Sequence, residues 1–292
     1  MSSKALKARV WRDVDFLTSL RPFRNYRNLN SLNEACVYLR SEFREAGLIP
    51  QDQTWNVSGN KYTNVIASYN PEKSKRLIVG AHYDVSGDQP GADDNASAVA
   101  GLLETARLLC ENKPNLDYRI DLVAYCLEEP PYFATDQMGS YIHAKSLYEE
   151  DADVTGMICY EMIGYFSEEP GSQGFPDPAW ARIYPDRGNF IIVVGTHEFS
   201  AFNQKVHKLM QQDAKIDVQA IELAREGLAG MSDQRSYWRF NYPALMINDT
   251  SFLRNPNYHM KSDTIDTLDF DKLTEVVNCC YRAVVGFNAT NF

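Results

Sequence analysis

The chain has 292 residues, 44% hydrophobic and 23% charged, a balance that supports a large buried core and excludes an intrinsically disordered chain. Its formal net charge of −10 leaves no basic stripe to neutralise phosphates, so neither nucleic acid nor an anionic membrane surface is expected as a partner. The N-terminal stretch Met1 to Arg9 has no apolar run of signal-peptide length, and no run nears the roughly 18 apolar residues of a membrane span, so a soluble, cytoplasmic protein is expected.

In chain order, Lys4 to Leu20 and Ser31 to Gly47 read as amphipathic helices. The second sets Leu32, Ala35, Cys36, Leu39 and Phe43 on one face, with Ser31 as N-cap, Glu34 completing a capping box and Gly47 as terminator. Gln53 to Val57 and Tyr62 to Tyr69 form a hairpin-like pair around Ser58-Gly59-Asn60. A strand from Arg76 to His82 follows, then helix Ala96 to Cys110, strand Ile120 to Leu127, helix Met138 to Tyr148 and strand Thr155 to Met162. After these come strand Phe190 to Gly195, helix Ser200 to Gln212, strand Ala244 to Asn248 and helix Phe270 to Asn288. The alternation predicts one α/β domain over 1–292, with a mostly parallel, doubly wound sheet and helices on both faces. Phe166 to Asn189, rich in Pro, Gly and aromatics and without periodicity, reads as an active-site wall or lid. The six cysteines stand at no metal-knuckle spacing and read as reduced structural thiols.

The informative residues stand at the ends of apolar runs. Arg76-Leu-Ile-Val-Gly-Ala-His82-Tyr-Asp84 delivers a histidine, and Gly91-Ala-Asp93-Asp94-Asn95-Ala-Ser97 delivers paired aspartates to a helix start. Glu128-Glu129, Glu161 and Tyr258-His259 recur downstream in the same kind of position. In an α/β protein the strand ends are where an active site is built, and these are metal-ligand side chains.

Together with Glu161-Met-Ile-Gly164, Ser232-Asp233 and Ser262-Asp263-Thr264, this set resembles the co-catalytic zinc aminopeptidase family, which also contains glutamate carboxypeptidases and glutaminyl cyclases. The resemblance runs in order from about His82 to Thr264. It implies a three-layer α/β/α sandwich around a mostly parallel mixed sheet, of zinc exopeptidase type, with two zinc ions per chain. His82 and Glu161 would be terminal ligands of one zinc and Glu129 and His259 of the other. Asp93 would bridge both, aimed inward by a cis peptide bond before Asp94. Asp84 would fix the His82 tautomer, and Glu128, beside a ligand on a strand end, would be the general base activating a hydroxide that bridges the two metals. Tyr258 is a candidate hydrogen-bond donor to the developing oxyanion, and Trp238 and Phe252 are candidates for a side-chain pocket. His143, His197 and His207 have no partner motif.

Two positions depart from the family's commoner pattern: Glu161 stands where aspartate is usual, and Gln234 where histidine is usual in Ser-Asp-His. The expected activity is removal of an N-terminal residue from peptides. A one-zinc glutaminyl cyclase, a carboxypeptidase or dipeptidase, and a silent binding module are the rival readings on the same scaffold.

Overall fold

The computed structural model describes residues 3–288, so Met1 and Ser2 of the N-terminal stretch lie outside the described residues. Its strands are β1 Gln51–Val57, β2 Asn60–Tyr69, β3 Arg76–His82, β4 Arg119–Tyr125, β5 Val154–Glu161, β6 Phe190–Thr196, β7 Asp217–Leu223 and β8 Ala244–Asn248. The helices are α1 Lys7–Ser19, α2 Leu29–Glu45, α3 Ala98–Asn112, α4 Gly139–Glu149, α5 Ser200–Gln211, α6 Gln234–Trp238 and α7 Phe270–Val285.

All eight strands join one sheet in the order β1-β2-β4-β3-β5-β8-β6-β7. The centre, β4-β3-β5-β8, is parallel, β1 and β2 add antiparallel at one side, and the parallel pair β6-β7 runs antiparallel to β8 at the other. The sheet is therefore mixed around a parallel centre. Ser58 and Gly59, both at positive φ (51° and 83°), close the β1-β2 hairpin, a conformation matched to the twist of two paired strands.

Two parts of the local reading change. Helix α2 starts at Leu29, and Ser31 lies inside it, its hydroxyl donating to the Pro22 carbonyl at 2.5 Å, so no capping box forms with the exposed Glu34. Elements β7 and α6 had no sequence signal: β7 is a half-buried edge strand with blurred alternation, and α6, at five residues, is too short to show a helical period.

Alternation on the strands divides the core between two faces. Leu77, Val79, Ile120, Leu122, Ile158, Ile191 and Leu245 point to the face covered by α1, α2, α3, α5 and α7. Ile78, Val123, Met157, Ile192 and Met246 point to the other, which α4 and α6 cover near the centre. Over β6, β7 and β8 this second face has no long helix among the described residues, and the 166–189 segment, whose helical turn is Trp180–Arg182, lies against it instead. The six cysteines are unpaired and all but Cys110 are buried. No helix among the described residues is long and apolar enough to cross a membrane.

Candidate metal centre

The chain leaves β3 to reach β4 on one side and returns to β5 on the other, opening a crevice at the carboxyl ends of these strands. His82 ends β3, Glu128 and Glu129 follow β4, and Glu161 ends β5. His259 arrives from the loop after β8. The backbone turns sharply beside these side chains: Leu127, Met162 and His259 all take positive φ (65°, 46° and 57°), a conformation costing non-glycine residues about 1 to 3 kcal/mol each and held only by surrounding structure. Gly91 (φ 61°) opens the loop to the aspartate pair, and a Cβ there would lie 2.3 Å from the Asp94 carbonyl oxygen.

Asp94 occupies the middle of the site. Its Oδ1 lies 3.3 Å from His82 Nε2 and its Oδ2 lies 3.1 Å from His259 Nε2. Glu161 Oε2 is 3.3 Å from His82 Nε2, and Glu129 Oε2 is 3.3 Å from His259 Nε2. Among the described residues three groups could hold a metal ion: His82-Asp94-Glu161 and Asp94-Glu129-His259, which share Asp94, and His82-Glu128-Glu129. Glu128, with Oε2 3.8 Å from His82 Nε2, belongs only to the third group and stands outside the two that share Asp94.

The expected bridging residue Asp93 is corrected by one position. Its Oδ1 accepts from the Gly164 N–H (2.9 Å) and its Oδ2 from the Asn255 amide (2.7 Å), facing away from both histidines. The cis peptide bond likewise lies between Asp94 and Asn95, one bond later than expected. Asp84 also differs in its work. The hydrogen bond to His82 Nδ1 is made by the Asp84 main-chain oxygen (3.2 Å), while the carboxylate stands 3.6 Å off. That carboxylate accepts instead from the N–H groups of Glu128 and Glu129, both at 3.2 Å, and so holds the two-glutamate turn against β3.

Other partners hold the ligands in place. Ser232 Oγ donates to Glu161 Oε2 at 2.6 Å, which seats the longer side chain that stands where aspartate is commoner. Asp263 accepts from the N–H groups of Asp93 and Asp94 at 2.9 and 3.1 Å. Gln234 turns into the core, donating to the Ala229 carbonyl. Trp238 is core as well, its indole donating to the Ala244 carbonyl. His143, His197 and His207 lie elsewhere, against Tyr237, Glu222 and the Val218 carbonyl.

Arg24 was invisible to sequence reasoning. It is fully buried beneath the site and donates to the carbonyls of Leu17, Tyr83, Pro90 and Gly91, tying the loops that carry His82 and Asp94. No motif flags an arginine whose partners are all main-chain oxygens far along the chain.

The electrostatics suit a cation. Asp94, Glu128, Glu129 and Glu161 are all buried, and among the described residues no lysine or arginine forms a salt bridge with them. Burial raises Glu128 and Glu161 and pushes Glu129 up to about 8. For His259 burial acts downward, but hydrogen bonds to Asp94 and Glu129 outweigh it and lift the imidazole to about 10. Glu129 Oε1 is buried with no hydrogen-bond partner. Crowded carboxylates sharing protons with imidazoles, one oxygen left over, form a donor set that divalent metal ions fit.

A cavity enclosing about 220 Å³ opens from this centre. Asp94, Glu128, Glu129, Glu161 and His259 form one end; the rest is mostly apolar, with Ile192, Val194 and Met246 as floor and Phe175, Trp180 and Tyr184 of the 166–189 segment as wall, and with Gln173, Asn248, Thr250 and Ser251 as its polar positions. Phe252 and Tyr258 line it, Tyr258 stacked on the His259 ring at 3.9 Å between centroids.

Comparison with known proteins gives the same direction. The chain is 42% identical over 275 residues to "Uncharacterized protein YfbL" of Escherichia coli, covering 91% of this chain and 83% of that one. It is 26% identical over 234 residues to leucine aminopeptidase 1 of Paracoccidioides brasiliensis, covering 76% of this chain but only 54% of that longer protein. In fold it matches the LapA aminopeptidase of Legionella pneumophila (TM-score 0.76, 20% identity, 96% of this chain and 72% of that one). It matches a glutaminyl cyclase of Bacteroides thetaiotaomicron similarly (TM-score 0.74, 20% identity, 98% and 99%). Residues 64–284 match peptidase family M28, and with these relatives the chain belongs to that family of hydrolases.

Proposed function

We propose that the protein is a dinuclear zinc aminopeptidase acting on peptides with a bulky apolar N-terminal residue. The observation that carries this reading is Asp94, one carboxylate oxygen within 3.3 Å of His82 Nε2 and the other within 3.1 Å of His259 Nε2, each histidine having its own further glutamate. His82 and Glu161 would hold one zinc, Glu129 and His259 the second, and Asp94 both; N and O ligands of this kind suit catalytic zinc. When bound, such a pair acidifies water and polarises a carbonyl.

The protein's own groups do the rest. Glu128, whose carboxyl burial raises, takes a proton from the attacking water and returns it to the leaving amine. Glu129 and Asp94, which line the cavity, supply the negative charge that attracts the substrate's α-amino group. Tyr258, half-buried and stacked on His259 at the cavity wall, donates to the oxygen of the tetrahedral species. The apolar cavity takes the first side chain and excludes water from it.

The reading is tested by elemental analysis of purified protein with a panel of peptides carrying Leu, Phe, Ala or Gln first, with free or acetylated N-termini. Two zinc ions per chain and cleavage of free-amine Leu and Phe peptides are expected. Cyclisation of the Gln peptide without hydrolysis would favour the cyclase instead. Glu128→Gln should keep its zinc and lose about a hundredfold to ten-thousandfold in turnover, the usual contribution of a general base.

A further inference from the structure

A second pocket, enclosing about 380 Å³, lies beside the catalytic cavity and differs from it in charge: Arg225, Arg235 and Arg239 line it, with Thr135, Tyr141 and one carboxylate, Glu226. The two share a wall. Pro130 and Phe133 line the catalytic cavity, and Ala134 and Thr135, next in the chain, line the basic pocket. The Arg235 guanidinium stacks over the Phe133 ring at 4.7 Å, bridging the two spaces.

The three arginines are not equivalent. Arg225 pairs with Glu198, and Arg239 lies 3.3 Å from Asp136. Arg235 donates to the Gly230 carbonyl at 3.1 Å and, among the described residues, has no carboxylate partner. Stacking on an aromatic face leaves a guanidinium edge free for bidentate contact with a carboxylate. Phe133, under the Arg235 guanidinium, donates its N–H to the Glu129 carbonyl at 3.3 Å, so Arg235 sits at the end of the turn that carries Glu128 and Glu129. With the N-terminal side chain in the apolar cavity, the leaving residue must extend past the group that protonates its amine, which is Glu128.

Resting on the aminopeptidase reading, we infer that this pocket is a subsite for a carboxylate on the leaving residue, with Arg235 as the specificity-determining side chain. The substrate class it selects is short peptides, in which the leaving residue ends in a free α-carboxylate. In a chain of net charge −10 with an acidic centre, an anionic leaving residue needs such a local counter-charge.

The experiment measures kcat/KM of the zinc-loaded enzyme on Leu-Leu, Leu-Leu-amide and Leu-Glu-amide. Wild type should favour Leu-Leu over its amide by about tenfold or more, the scale of one charge-assisted contact. Arg235→Gln should bring that ratio towards one, and Arg235→Lys should leave it intermediate. In the Glu128→Gln background, calorimetric titration should show the same acid-over-amide ordering in binding alone, lost again on Arg235→Gln. Recovery of rate with Leu-Glu-amide would assign the site to an acidic side chain and overturn the short-peptide assignment. A wild-type ratio near one, or equal losses on acid and amide in Arg235→Gln, would overturn the subsite while hydrolysis itself left the aminopeptidase reading standing. Failure of wild type to cleave any of the three would sink both.

Discussion

Two buried clusters of charge differ in how they are balanced. Between α1, α2 and α3, the acids Asp13, Glu42 and Glu104 meet Arg107 at 2.7, 2.5 and 3.2 Å, with Arg9 and Arg12 closing the rim. Every carboxylate there has an arginine, so the cluster is electrically complete and serves to join three helices. At the strand ends, four carboxylates and two histidines share one crevice, and the nearest fully buried arginine, Arg24, spends its donors on main-chain carbonyls. Burying charge without a partner is costly, so an incomplete cluster marks a place where something else supplies the positive charge.

The largest expected effect breaks the incomplete cluster at the carboxylate that stands between both histidines. Asp94→Asn should leave both histidines without a common carboxylate, giving protein with little bound zinc and turnover at background. Asp93→Asn should keep its metal, because that carboxylate faces Gly164 and Asn255. Equal zinc loss in both variants would show that the two neighbouring residues cannot be separated in this way.

In the complete cluster, Arg107→Leu should destabilise the fold by about 3 to 5 kcal/mol, since it strands buried carboxylates. Zinc content of the folded fraction should stay at the wild-type value. Urea unfolding followed by elemental analysis separates the two effects, and a loss of metal equal to that of Asp94→Asn would abolish the distinction between the clusters.

Histidines sharpen the same contrast. His82 and His259 sit among carboxylates, whereas His143 on α4 is buried beside the Tyr237 hydroxyl at 2.6 Å, and burial pulls it down to about 4. Below its ordinary pKa of about 6.5 the unfolded chain takes the proton first. The stability that neutral His143 contributes is therefore full above pH 6.5 and lost as pH falls towards 4, on the order of 3 kcal/mol. Metal-free His143→Gln should show a shallower loss between pH 7 and 4.5 than metal-free wild type in urea melts; superimposable curves would mean that another group governs this limb.

The smallest effect concerns a residue that touches only a ligand. Ser232→Ala removes the 2.6 Å hydrogen bond to Glu161 and, on the proposed two-zinc reading, should weaken the metal that Glu161 would hold by about tenfold to a hundredfold. Chelator competition reads this directly. Unchanged affinity at both sites would mean that packing alone orients Glu161.

Much of this was legible along the chain because three of the key positions follow apolar runs. His82, Glu128-Glu129 and Glu161 could be placed at strand ends without coordinates, since a buried parallel strand leaves the same signature wherever it occurs. Asp93 and Asp94 show the limit of such reading. Adjacent acids are identical in pattern, and only the loop from Gly91, held by Asp263, decides which faces the histidines. Arg24, Asn255 and the main-chain role of Asp84 left no trace, because their partners lie far along the chain or are backbone atoms common to every residue.

The amino-acid order by itself determined the alternation of strands and helices, the ligand types and the family, because these depend on local periodicity and on short runs of residues. The tertiary structure alone decided which aspartate is shared and which face of β6, β7 and β8 is left without a long helix to become the apolar cavity. It also decided that Arg235 stands at that cavity's edge with no carboxylate partner among the described residues. Each of these depends on the relative placement of segments separated by many tens of residues, which packing of the whole chain settles and no window of sequence contains.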